Sequence, residues 1–199
     1  MVVYPVEAAK RNLLSVYFRT TALSAAIVLL YPKVDLLTLD RPVLLPLWIP
    51  GSHLLLFLSS LITTLSLKKG LGILKSSFQV YTHFRSPVHL QTAFLTSVLE
   101  ETLFRYFLLT WLAKMLPHPA YALLLSAILF SAFHYRLGGF VDQFLHYADF
   151  FFFGLILGAL TLLTGSIYPA LIVHAMRNYF LRALLVYRSK EPSPMNAIR

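Results

Sequence analysis

The stretch Leu99-Glu100-Glu101-Thr102-Leu103-Phe104-Arg105 places two adjacent carboxylates and a guanidinium inside an apolar run from about Val88 to Met115. Charged side chains at membrane depth cost on the order of 3 kcal/mol each, so such a cluster points to function. Three more polar groups interrupt later apolar runs: His134, His174 and Asn178. Glu101 and Arg105 are four residues apart, on one helical face where they can pair. Glu100 lies about 100° around the helix from Glu101, which gives the two carboxylates different partners. The pairs His174/Asn178 and Phe130/His134 repeat the four-residue spacing.

These groups allow a narrow chemistry. The chain has no cysteine, which excludes disulfides, thiolate metal sites and a cysteine nucleophile. It has no GxSxG serine motif and no GxGD aspartate motif. A glutamate with two histidines can act on water by two routes. One Glu and one His serve directly as bases, or two His and a Glu (His134, His174, Glu100) hold a divalent metal such as zinc that acidifies its bound water. His174 and Asn178 are then placed to donate hydrogen bonds to a developing oxyanion. Either route hydrolyses an acyl or peptide bond and requires a water-filled cavity. The plainer readings are a structural Glu101–Arg105 ion pair and interhelical hydrogen bonds from His174 and Asn178.

The elements that must position these groups are membrane helices. The chain is 58% hydrophobic and only 13% charged, with a mean hydropathy of +0.71, far from the roughly one-quarter charged composition of soluble domains. The expected fold is all-α, a polytopic transmembrane bundle of about six spans plus an interfacial helix. The spans are expected at Leu13–Tyr31, Val43–Leu67, Val88–Met115, Ala120–Tyr135, Ala148–Thr164 and Ile167–Tyr187. The amphipathic interfacial segment falls within Lys68–Pro87. Residues 1–187 read as one transmembrane domain with a motif-bearing core at 88–187, followed by a polar tail at 188–199. No cleavable leader is expected, because the first apolar run is long enough to span. Residues 136–147 read as a loop, and Asp149 either caps the helix after it or reaches the site, with capping preferred. Phe150–Phe153 read as packing or lipid-facing surface. Gly154 and Gly158 form a small-residue face for close helix contact, and Gly165-Ser166 is a turn. His53, His83, His89, His118 and His146 carry no motif.

The net charge of +9 belongs to membrane orientation and anionic headgroups rather than to nucleic acid, for which no basic, aromatic-interleaved surface segment is present. Basic residues concentrate on the side that holds both termini and the 68–87 loop, so both termini are expected in the cytoplasm. His134, His174, Asn178 and the two glutamates then converge in the cytoplasmic half of the bundle, and the site opens to that side. The partners expected are membrane lipids and a membrane-associated peptide or protein substrate.

EETLFR, FSAFH (Phe130–His134), FGLILG (Phe153–Gly158) and HAMRN (His174–Asn178) occur in an order and spacing that resemble the CAAX-processing and bacteriocin-processing (CPBP or Abi) intramembrane proteases. That family includes the type II CAAX prenyl endopeptidase. The resemblance covers about residues 88–187. It implies that Glu100 activates water with His134 as partner and that Arg105 anchors Glu101. It further implies that His174 and Asn178 stabilise the transition state or position substrate. A zinc route and a metal-free glutamate route both stay open. One departure is Tyr106, where many members carry glycine; a large side chain there narrows the cavity or alters packing, which bears on substrate choice. The first 87 residues resemble no named pattern. Two other classes compete: a non-proteolytic scaffold or bacteriocin-immunity factor with the same fold, and a proton-coupled transporter, disfavoured because no inverted repeat is visible.

Overall fold

The computed structural model describes residues 6–31, 86–134 and 139–190, and within them the side chains outside 6–16, 140–142 and 183–190. Every described element is helical: α1 (Val6–Leu30), α2 (Pro87–Glu101), a π-helical segment (Thr102–Leu109), α3 (Thr110–Met115), α4 (Pro119–Phe133), α5 (Phe140–Thr164) and α6 (Tyr168–Lys190). The expected second span and interfacial helix lie outside the described residues.

Local chemistry sets the boundaries. Ser86 is extended and Pro87 opens α2, where a missing N–H costs nothing. Pro119 does the same for α4, and the His118 ring accepts a hydrogen bond from the Ala120 N–H as a cap. Gly165 ends α5 in the left-handed region at φ 66°, which frees the chain to reverse. Tyr168 then donates its N–H to Ser166 Oγ as α6 begins.

Three helix boundaries and one residue role are corrected. α1 begins at Val6, seven residues before the expected span. The loop expected at 136–147 is helical from Phe140 onward, so α5 begins eight residues before the expected span. Asp149 therefore lies well inside α5 and caps nothing. Its carboxylate pairs instead with Arg177 of α6. The last helix also runs on to Lys190, past the expected end at Tyr187.

The motif span holds its expected limits, since α2, the π-helical segment and α3 run without a break from Pro87 to Met115. The wider π-helical turns fall on the EExxxR motif, and such turns are frequent at functional sites. α6 packs along α2, α4 along α5, and α1 along α2. Gly154 and Gly158 seat α5 on α4. A methyl group on Gly154 would stand 3.2 Å from Ala127 Cα and 3.2 Å from Phe130 Cδ1, and one on Gly158 would collide with Leu123 Cδ1. The core beneath the motif is Phe104, Phe130, Phe153, Leu157, Leu160, Ala170 and Val173. Tyr106 is fully buried.

Among the described residues, one helix is long and apolar enough to cross a membrane by length and composition: Gln143–Thr164, with mean hydropathy 1.7. Tyr17–Leu30 and Pro119–Phe133 are shorter apolar helices. The motif helix and α6 carry the charged and polar residues of the site, which lowers their mean hydropathy. Large apolar side chains face outward all the same, among them Phe18, Leu29, Leu30, Met115, Phe133 and Phe144.

Candidate active site

The expected residues meet between the motif helix, the end of α4 and the middle of α6. Glu100 is partly buried, and its Oε2 lies 3.3 Å from His134 Nε2 and 3.4 Å from His174 Nε2. Glu101 is fully buried, with Oε1 2.6 Å from His174 Nδ1 and Oε2 3.2 Å from Arg105 Nε. The His174 ring is thus held between two consecutive glutamates, one at each nitrogen.

Hydrogen bonds define the tautomers. His134 Nδ1 is 2.9 Å from the Phe130 carbonyl, and a carbonyl only accepts, so the proton of neutral His134 sits on Nδ1. By the same logic His174 Nδ1–H donates to the Glu101 carboxylate. Both Nε2 atoms then present lone pairs toward Glu100 Oε2, a third acceptor that has no hydrogen-bond partner of its own. A proton placed among them, or a donor such as water, would relieve this clash.

Arg105 is the structural anchor. It is buried at 1% exposure, next to Glu101, and donates from Nη2 to the Gly154 carbonyl at 3.3 Å. Its guanidinium lies 4.3 Å from the centre of the Phe130 ring, a desolvated cation–π contact. Asn178 donates its Nδ2 to Ser97 Oγ at 3.1 Å, and Ser97 in turn donates to the Ala93 carbonyl. One N–H of the Asn178 amide is therefore committed to holding the group in place.

Several supporting groups carried no motif. Phe150 stacks on His134 with centroids 4.0 Å apart and planes 18° from parallel. His146 contacts the His134 carbonyl through Nε2 at 2.8 Å. Arg177, paired with Asp149, lies over the Phe153 ring at 4.1 Å, and Phe153 meets the His174 ring edge-on at 5.1 Å. The early helical start brings His146, Asp149 and Phe150 to the site along one face of α5, four and three residues apart. In the sequence, the FFFF run and Asp149 single out this stretch, and His146 carries no signal.

Among the described residues, no group of three or more His, Asp or Glu is arranged to hold a metal ion. His134 Nε2 and His174 Nε2, two of the donors expected for a metal, both face Glu100 Oε2, the third.

The described residues thus form an all-helical bundle with a carboxylate–imidazole cluster buried between three of its helices. Residues 83–180 match the family model Rce1-like, described as type II CAAX prenyl endopeptidase Rce1-like. Over these residues the chain is similar to this family of CAAX-processing proteases, which is membrane-embedded. Neither the curated proteins nor the solved structures yield a match to the chain.

Proposed function

We propose that the chain is an intramembrane endopeptidase that hydrolyses a peptide bond in a membrane-associated peptide or protein through a glutamate-activated water. The observation that carries this reading is Glu100 Oε2 facing both His134 Nε2 and His174 Nε2 at 3.3 and 3.4 Å. These separations leave the carboxylate under-bonded and ready to accept from water.

Water bound against Glu100 and His134 gives up a proton to that pair as its oxygen attacks the scissile carbonyl. The carbonyl oxygen becomes an oxyanion, and the second N–H of Asn178 and a protonated His174 Nε2 donate to it. Glu101 stabilises the charged form of His174 from the opposite nitrogen. Collapse of the tetrahedral intermediate breaks the C–N bond, and the proton held by Glu100 and His134 passes to the leaving amine. Phe150 and Phe130 hold the His134 ring and its carbonyl partner in register. Both termini lie in the cytoplasm in this reading, and the site opens to that side, in keeping with the distribution of basic residues.

Glu100→Gln and His134→Ala are each expected to lower kcat/KM about a thousandfold, the scale of a lost general base, with an unchanged unfolding temperature in detergent. The assay is cleavage of a prenylated CAAX peptide by purified full-length protein. Wild-type turnover in either variant removes the assigned roles. A cellular phenotype that survives Glu100→Gln favours a non-proteolytic scaffold instead.

A further inference from the structure

The two imidazoles of the site are held unequally. His174 is buried at 1% exposure, with Glu101 at one ring nitrogen and Glu100 at the other. His134 is 19% exposed and stands at the C-cap of α4, where the backbone leaves helical geometry at φ −88° and ψ 35°. Its Nδ1 donates to the Phe130 carbonyl of its own helix, which fixes the tautomer. The plane of the ring is set by what it lies on, and that is Phe150, stacked at 4.0 Å. The aim of His134 at Glu100 therefore depends on what fixes Phe150, itself only partly buried.

Arg177 reaches that ring from the next helix. It follows His174 by three residues, about one turn along α6, and is buried. Its guanidinium lies 5.0 Å from the centre of the Phe150 ring and 4.1 Å from that of Phe153. Phe153 is sealed into the core cluster, whereas Phe150 packs at its edge. Asp149, the residue next to Phe150 on α5, pairs with Arg177 and fixes the direction of the guanidinium. A buried ion pair adds little net stability over an apolar pair of similar volume. What it adds here is direction, since it ties the helix that carries Phe150 to the helix that carries His174.

We propose that Asp149 and Arg177 are positioning residues for His134: the carboxylate holds the guanidinium over Phe150, and Phe150 aims the imidazole at Glu100. A neutral side chain at 149 leaves the guanidinium buried without its counter-charge, and the long side chain turns toward water. Phe150 then gains rotamers, and the 3.3 Å approach of His134 Nε2 to Glu100 Oε2 loosens with it. His174 keeps both glutamates and its contact with Phe153, so it stays in place. The effect on turnover rests on the peptidase reading, whereas the ring packing does not.

The test uses the full-length protein in detergent micelles, with histidine ring protons observed by NMR. The His134 and His174 resonances are assigned from His134→Ala and His174→Ala. A phenyl ring stacked on an imidazole shifts its Hε1 resonance upfield. Asp149→Asn and Arg177→Met should each move the His134 resonance back toward that of an exposed histidine and leave His174 unmoved. Cleavage of the prenylated CAAX peptide should lose about a hundredfold in kcat with KM little changed, the cost of a misplacement of about 1 Å. Arg177→Lys, which keeps the charge, should retain part of the rate. Asp149→Leu/Arg177→Met replaces the pair with apolar side chains and should recover the unfolding temperature without recovering kcat. The resonance is read in this double variant too, which keeps the test where a single variant fails to fold. Phe150→Leu should reproduce the loss, and adding Arg177→Met to it should cost little more, because both act through one contact. A His134 resonance that stays put when Arg177 is replaced overturns the proposal. So does wild-type kcat in the apolar double variant, which makes the pair a packing element, and so do fully additive losses from Phe150→Leu and Arg177→Met. If the wild type cleaves nothing, the peptidase reading falls, and the His134 resonance by itself decides the positioning.

Discussion

Arg105 and Glu101 show what a buried charge requires of its neighbours. Both side chains are sealed from solvent, and His174 and the Gly154 carbonyl complete their contacts. Removing one member of such a pair leaves the other charged and desolvated, which costs about 3–5 kcal/mol, while removing both is far milder. Arg105→Met should therefore lower the unfolding temperature sharply, and the double variant Arg105→Met/Glu101→Gln should recover much of that loss. Thermal unfolding of the purified protein in detergent measures both. A double variant no more stable than the single one would mean that the two side chains do not compensate each other. Glu100 sits differently: it is 18% exposed and faces ring nitrogens rather than a guanidinium, an arrangement suited to exchanging protons. Adjacent glutamates are thus divided by the direction in which the helix points them.

At the scale of elements, the contact between α4 and α5 positions His134. Gly154 lets α5 approach the Ala127 backbone and leaves its own carbonyl open to Arg105. The same approach brings Phe150 onto the His134 ring. Gly154→Val should destabilise the fold by about 1–3 kcal/mol, because the added methyl groups meet backbone as well as a side chain. Its activity should fall further than its stability as His134 and Arg105 shift together. Gly139→Val, at a position with nothing within 4 Å, is the control and should be near neutral in both measurements. The π-helical segment belongs to this scale too: widened turns begin directly after Glu101 and include Arg105, so the motif lies where the helix changes pitch.

For the whole molecule, the open question is which way the bundle faces. The absence of native cysteine makes the chain a ready background for single-cysteine labelling. His118→Cys, in the turn before α4, and Gly139→Cys, just before α5, lie at opposite ends of that helix pair. With both termini in the cytoplasm, an impermeant maleimide added to intact cells should label the first and spare the second. The opposite pattern would invert the orientation and place the site on the outer side.

Much of this architecture was legible along the chain. Apolar runs of membrane-spanning length located the described helices to within a few residues, except at the starts of α1 and α5, where polar side chains obscured seven and eight residues of helix. His146 looks like a loop residue and Asp149 like a helix cap because each interrupts the apolar pattern. Both are polar because they face the interior of the site, where the His134 carbonyl and Arg177 meet them. Four-residue spacing marked Glu101 with Arg105 and His174 with Asn178 because angular position on a helix follows from residue number alone. The sequence by itself thus determined the helical class, the family resemblance and the set of side chains that belong together. Tertiary structure decided which glutamate meets His134, how His174 is held between two carboxylates, and that Asp149 answers Arg177. These depend on the rotation and register of one helix against another, and such relations arise only when distant segments pack.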